Sequence, residues 1–352
     1  MTAVTIIESS WYVKHKRLAS CYNQRMKHEA NKITPIDRLN YSGNLDPVVN
    51  RLCDAYGVGD PVDFYVIDVG YEDCNVIVET KNEKYVGKIF SKGRTPQDIT
   101  RYSTIMEKAV EAGINHPPLL KTHEGDVVFT DTKANSISLV LMKFIKGKTF
   151  FELDRTPNEE ELKAIIEQAA RINNINHHPS YIFDSWAIPN IQIMFDKIKP
   201  FLKQEDIPLV EKTIARYNEI PIKTLPRCLV HGDLIKTNIL KAENGDIYIL
   251  DFSVANWYPR IQELAVITAN LLHDVTNSMS LTDRTELVAN EYDKFNKLTP
   301  EERKWLYPFA LAGVAMGFMG AHQEKHINRN GGEETEYWLK LGREGLKREL
   351  TI

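Results

Sequence analysis

The sequence predicts an α+β chain in two lobes, a small antiparallel sheet followed by a mainly helical region. Three observations predict it. Between Asp63 and Ile145 the runs VIVET, KYVGKIF, DVVFTDT and SLVLMKFI are rich in β-branched and aromatic residues, and KNE, EGD and KANS turn signals separate them. Beyond Gly147 the apolar residues recur with helical period in ELKAIIEQAARINNI, IQIMFDKIKPFL and ELAVITANLLHDV. One β interruption breaks the helices, LVHGD and then NILKAENGDIYILDF.

Residues 1–60 read as a polar helical extension, 61–146 as the sheet lobe and 147–352 as the helical lobe. In the extension, Lys14, Lys16, Arg17, Arg25, Lys27 and Lys32 make a basic stretch, either a solvated face or a surface for anions. Asp46-Pro47 opens a helix through Val49, Leu52, Cys53 and Tyr56, which Gly57 and Gly59 end. A second helix runs from Gln97 to Ala112, closed by Gly113, with Ile99, Ile105, Met106, Ala109 and Val110 apolar. The segment from Trp305 to Ala321 is apolar but shorter than the roughly 20 residues a bilayer crossing needs, so it reads as a buried helix whose Gly313, Gly317 and Gly320 admit close neighbours.

The chain has 352 residues, 43% hydrophobic and 26% charged, with a formal net charge of -4. That balance lacks the basic excess of a dedicated nucleic-acid binder. Cys21, Cys53, Cys74 and Cys228 show no C-x-x-C spacing, which argues against a zinc knuckle or a disulfide framework. The N-terminal MTAVTIIESSW has no basic n-region and carries Glu8 where a signal peptide is apolar, so a cytoplasmic protein is expected. His322 and His326 have zincin spacing, but Gln323 stands where H-E-x-x-H needs glutamate.

The stretch CLVHGDLIKTNIL, Cys228 to Leu240, sets His231, Asp233, Lys236 and Asn238 into an otherwise strand-like run. Asn244-Gly245 then signals a hairpin. A two-residue turn there predicts that Glu243 faces Asp246 and Asn238 faces Asp251, with Cβ atoms roughly 5 Å apart. Asp233 lies five residues before Asn238, so three oxygen-bearing side chains can converge. A few hard oxygen ligands with room for phosphate and water suit Mg²⁺.

H-G-D-L-I-K-T-N followed by I-L-D-F resembles the catalytic and metal-binding loops of the protein-kinase-like fold. The HGD form is similar to the aminoglycoside phosphotransferase branch, which includes choline kinases and type II homoserine kinases. The resemblance implies a bilobal protein-kinase-like fold, ATP as donor with GTP as an alternative, Mg²⁺, and a small-molecule hydroxyl as acceptor. It assigns Asp233 as the residue that orients the hydroxyl and takes its proton, His231 as support for the loop, and Asn238 and Asp251 as Mg²⁺ ligands. Lys236 either steadies the transferring phosphoryl group or is solvated. Gly70 and Asn75 fall on the phosphate-covering hairpin, Lys88 on the third strand where it pairs the α/β-phosphates, and Met142, Lys143, Phe144 and Ile145 at the adenine hinge.

One departure concerns the partner of Lys88. Aligning the second helix by Gly113 puts Tyr102 where many relatives have the glutamate that pairs with this lysine. Three alternatives follow: Asp98, Glu107, or no ion pair. Glu263 stands at the position of a usual aspartate and is expected to anchor the loop. Acidic residues between Trp186 and Asp206, with Glu263 and Asp274, suit an amine-bearing acceptor. The rival reading is a pseudokinase that binds nucleotide and acts through protein interaction, motivated by Tyr102 and the basic extension; protein-kinase activity ranks behind both.

Overall fold

The computed structural model describes residues 34–68, 70–274 and 279–350. The basic stretch from Lys14 to Lys32 lies outside them. Helix α1 (Asp46–Tyr56) is amphipathic, burying Val48, Val49, Leu52, Cys53 and Tyr56, and Gly57 ends it at φ +63° as the sequence predicts.

Five antiparallel strands follow: β1 (Pro61–Ile67), β2 (Cys74–Thr80), β3 (Lys84–Ile89), β4 (Val128–Asp131) and β5 (Ile137–Lys143), in the order β1-β2-β3-β5-β4. Helix α2 (Pro96–Glu111) begins with a capping box between Thr95 and Asp98. The two-residue period of β5 divides the core. Leu139 and Leu141 pack with Leu52 of α1, while Val140 and Met142 pack with Ile105 and Met106 of α2. The sheet is thus covered by a helix on each face.

The chain then passes through β6 (Gly147–Thr149) into α3 (Glu159–Asn173), α4 (Ile191–Ile198) and α5 (Ile207–Asn218). Strand β7 (Arg227–Val230) pairs with β10 (Asn256–Pro259), and β8 (Ile239–Ala242) lies between β6 and β9 (Ile247–Ile249). Helix α6 (Ile261–Val266) runs on into a π turn; α7 (Leu281–Tyr292), α8 (Pro300–His326) and α9 (Glu333–Leu350) complete the fold. The apolar segment expected from Trp305 to Ala321 forms the middle of α8, which is buried from Phe309 to Ala312 and beyond. No described helix is long and apolar enough to cross a membrane.

The hairpin register differs from the sequence prediction by one residue. Ile239 pairs with Ile249 and Lys241 with Ile247, so Asn238 extends the ladder opposite Leu250, whose N–H donates to the Asn238 carbonyl at 2.8 Å. The turn has three residues, 243–245, closed by the Gly245 N–H to the Ala242 carbonyl at 2.9 Å. Gly245 sits at φ +94°, the left-handed position that a three-residue hairpin also demands. The extra residue moves Asp251 beyond the paired strands.

Close helix packing on α8 leaves no room for side chains at its glycine contacts. A Cβ on Gly342 of α9 would meet Phe318 Cα at 2.8 Å and its backbone N at 2.9 Å. Backbone cannot yield as a side chain can, so Gly342→Ala should force α9 away from α8 and cost about 1–3 kcal/mol, read as a lower midpoint in thermal or urea denaturation.

Candidate active site

The loop between β7 and β8 is fixed before its polar groups act. The Glu263 carboxylate accepts the N–H groups of His231 at 2.8 Å and Gly232 at 2.9 Å. Gly232 adopts φ +82°, which turns the chain at the head of the loop. His231 is fully buried, its Nε2 bonded to the Leu250 carbonyl at 3.0 Å and its Nδ1 accepting the Asp233 N–H at 3.2 Å. Burial lowers its pKa to about 4, so it serves as a neutral bracket for the loop.

Asn238 donates from Nδ2 to Asp233 Oδ2 at 2.5 Å and to the Asp233 carbonyl at 3.1 Å, and its amide oxygen accepts no hydrogen bond among the described residues. Asp251 carries φ +59°, a left-handed conformation uncommon for a non-glycine residue. That turn aims its carboxylate at the sheet: Oδ1 accepts from Lys88 Nζ at 2.8 Å and from the Ser253 N–H at 3.1 Å. Burial would raise the pKa of Asp251, but the Lys88 ammonium holds it below the usual carboxylate range.

Lys88 is 3% exposed and settles the open question of its partner. Neither Asp98 nor Glu107 reaches it. Asp98 is committed to the Thr95 cap, and Glu107 lies 3.9 Å from Lys121 at the surface. The ammonium instead contacts Asp251 and, at 3.3 Å, Asp73, and it sits 4.9 Å from the Tyr102 ring centroid. Tyr102 therefore does face Lys88, as the alignment on Gly113 implied, and the second carboxylate comes from the bend before β2. Burial opposes the charge on Lys88; its anionic neighbours more than offset that and raise its pKa. Asn75 lies directly across β2–β3 from Lys88.

Gly70, at φ +99°, joins the hairpin to its surroundings: its carbonyl accepts from Arg38 at 2.8 Å and its N–H donates to Glu334 at 3.3 Å. At the expected hinge, Met142 is buried, the Lys143 N–H is bonded to the Pro118 carbonyl and the Phe144 N–H to the Lys84 carbonyl. The Ile145 N–H has no hydrogen-bond partner among the described residues. Lys236 is not solvated: it is 3% exposed, 5.6 Å from the Tyr337 ring centroid, and the carboxylates acting on it are Asp274 and Asp154. The structure does not bring it into the Lys88–Asp251 cluster.

Several site residues escaped the sequence reading. Asp73 lies in the bend just before β2, outside the strand period that the sequence shows. Arg94 bridges Glu72 and Asp73 beside the cluster. Asp184 is buried, with burial raising its pKa to about 7, and its charge acts on Asp233. The expected acidic lining past Trp186 is corrected accordingly: Asp206 is paired with Arg343, and Glu263 is spent on the loop.

Asp233 itself is pushed well up by burial and by Asp184, Asp251 and Glu72. An excess of negative charge beside the Asn238 oxygen fits a divalent cation. Among the described residues no three His, Cys, Asp or Glu side chains form a ready-made metal cage.

A sheet lobe whose buried lysine meets a strained aspartate from a helical lobe defines a phosphotransferase of the protein-kinase-like fold. Residues 64–294 match the model of the Phosphotransferase enzyme family, and the chain belongs to it. A homoserine kinase of Zymomonas mobilis is 22% identical over 289 residues, covering 79% of this chain and 86% of that protein. Spectinomycin phosphotransferase in complex with ADP and spectinomycin aligns with a TM-score of 0.62 at 13% identity, over 86% of this chain and 98% of its own. The amicoumacin kinase structure with AMP-PNP and Ca²⁺ gives a TM-score of 0.60 at 13% identity, over 96% of each chain.

Burial raises the Glu263 pKa to about 7, against the two N–H groups that favour its ionised form. A pKa raised in the fold contributes stability below the unfolded value near 4.5 and loses it as pH rises through about 7. Glu263→Gln should therefore flatten the decline of folding stability between those values, measured by urea denaturation at a series of pH values. A slope identical to that of the parent protein would refute this account.

Proposed function

We propose that this enzyme transfers the γ-phosphoryl group of ATP, with Mg²⁺, to the hydroxyl of a small amine-bearing acceptor. The observation that carries the reading is the pair of contacts Lys88–Asp251 at 2.8 Å and Asn238–Asp233 at 2.5 Å, which gather a cation, two candidate metal ligands and a base on one cleft. Asp233 would hold the acceptor hydroxyl and take its proton as the bond to phosphorus forms. Lys88 would exchange a carboxylate for phosphate oxygens, and the Ile145 N–H would meet the adenine edge. Asn238 and Asp251 would hold the metal, which supplies neutralisation of charge on the phosphates.

The amine follows from charge. Asp184, Glu72 and Asp233 crowd the acceptor side, and each has its pKa raised, so a cationic group there relieves their repulsion. The Tyr71 and Trp186 rings, stacked at 5.7 Å, add aromatic surface nearby. Homoserine and spectinomycin, acted on by the relatives named above, are both amine-bearing alcohols. The pseudokinase reading loses one of its two motives, because Asp73 supplies Lys88 with the carboxylate that Tyr102 does not; the basic extension lies outside the described residues. Cys53, Cys74 and Cys228 are free and buried, which supports the reducing cytoplasm as the compartment.

A coupled ADP-release screen over amino alcohols, amino sugars and homoserine, with ATP and with GTP, tests the acceptor and the donor. In it, Asp233→Asn should lower kcat by about two to four orders of magnitude while nucleotide still stabilises the protein against heat. Full turnover in that variant would overturn the assignment. Lys88→Met should instead weaken nucleotide binding, seen as a lost thermal shift with ATP and Mg²⁺. Asp184→Asn should raise KM for the acceptor by roughly tenfold or more with little change in KM for ATP, since a buried charge pair is lost only on the acceptor side.

A further inference from the structure

A cleft of about 410 Å³ lies between α2 and the segment after α3, lined by Gln97, Thr100, Arg101, Thr104, His177 and Ser180, with proline walls from Pro96 and Pro179. Its α2 residues form one stripe at helical spacing, distinct from the stripe that carries Tyr102 towards Lys88. Nothing in the phosphotransfer reading uses it.

Arg101 is the unusual member. Its side chain reaches from α2 into the protein, and the residue is only 7% exposed. Nε donates to the Ser180 carbonyl at 2.7 Å, and Nη2 donates to the Ala255 carbonyl and to Asn256 Oδ1. All three partners are neutral. No carboxylate of the described residues forms an ion pair with it, and Asp98, whose charge acts on it, is committed to the Thr95 cap. Buried guanidinium groups are normally neutralised by a carboxylate, because burying an unpaired charge is costly. Nη1 has no hydrogen-bond partner among the described residues.

The rest of the wall is short of anions and has donors to spare. Lys108 and Arg101 both act on His177, and Arg94 acts on Arg101. The Gln97 amide, the Ser180 hydroxyl and the His177 ring make no side-chain hydrogen bond among the described residues, whereas Thr100 and Thr104 spend their hydroxyls on the carbonyls of Pro96 and Thr100. A planar guanidinium edge with free polar donors around it matches a tetrahedral oxyanion. The cleft has room beyond that for an organic body.

We propose that this cleft is a second ligand site, separate from the nucleotide cleft, which binds a small oxyanion ligand, either inorganic phosphate or a phosphomonoester, on Arg101 Nη1. Binding supplies the negative charge that the fold withholds from Arg101. The same guanidinium holds Ala255 and Asn256, four and five residues beyond Asp251, so the site adjoins the metal-binding loop without being part of it.

The test is calorimetric titration of the full chain at constant ionic strength with inorganic phosphate and, separately, with phosphoethanolamine, using chloride as the control anion. Each is run on Lys88→Met, in which the nucleotide cleft has lost its phosphate-binding lysine, and on the parent protein saturated with AMP-PNP and Mg²⁺. Saturable binding at one site per chain is expected in both. Thr104→Glu places a carboxylate beside Arg101 and should weaken that binding by about tenfold or more while leaving the thermal shift with nucleotide unchanged. Tighter binding of phosphoethanolamine would assign the site to a phosphomonoester, and equal binding would assign it to free phosphate. No saturable binding, or binding indifferent to Thr104→Glu, overturns the proposal. Loss of nucleotide binding by the parent protein would sink the kinase mechanism and leave this site standing, because the Lys88→Met arm needs no nucleotide.

Discussion

The contact on which the site depends is the ion cluster of Lys88 with Asp251 and Asp73. Lys88 stands on β3 and Asp73 in the bend before β2, and Asp251 arrives from the helical lobe, so one ammonium spans the cleft between them. Burying that ammonium alone would be costly; two carboxylates and the Tyr102 ring make the charged form the stable one. The arrangement holds the lobes in register and keeps Asp251 ionised. Asp73 Oδ2 meets Lys88 as an ion pair at 3.3 Å, while its Oδ1 accepts the Ser91 N–H at 3.0 Å. On the proposed assignment, a nucleotide that took Lys88 would release Asp251, whose carboxylate would then need a cation of its own, and nucleotide and metal binding would be linked through one lysine.

Around that cluster the catalytic loop is held by backbone rather than by side-chain reach. Glu263 fastens two consecutive N–H groups, Gly232 turns the chain, and His231 ties the loop to the Leu250 carbonyl one residue before Asp251. The segments that carry Asp233 and Asp251 are therefore braced on a common histidine. Its low pKa keeps that brace neutral and its bonding pattern constant across physiological pH. Such pre-organisation matters for phosphoryl transfer, where most of the catalysis is positioning and electrostatics.

Much of this was legible before any coordinates. The strand and helix patterns placed the sheet and the buried middle of α8, and the five-residue spacing put Asn238 within reach of Asp233. The hairpin register was not legible, because Gly245 suits a two-residue or a three-residue turn alike, and only the strands on either side choose between them. A one-residue slip reverses faces, so the route from Asn238 to Asp251 had to be found in the left-handed turn at Asp251 instead. Asp98 and Glu107 failed for another reason: helix spacing ranks only residues of α2, while the partners stand in the bend before β2 and in the loop after β9. Asp184 lies in an irregular segment with no period to betray which way it points.

Tyr102 gains its meaning from the surplus of charge. A glutamate at that point of α2 would set a third carboxylate against Lys88, next to Asp73 and Asp251, in a cleft that already drives the Asp233 carboxyl towards its neutral form. An aromatic face offers the ammonium its negative quadrupole without adding a full charge, and Phe90 holds the ring edge-on at 5.3 Å. Moving the carboxylate from the helix to the bend before β2 also frees α2 from the ion pair. The helix is then tied to the helical lobe through Arg101, whose hold on Ala255 and Asn256 reaches the same loop from the opposite stripe. Position 102 therefore presents an aromatic face to Lys88, while Asp73 and Asp251 supply the carboxylates.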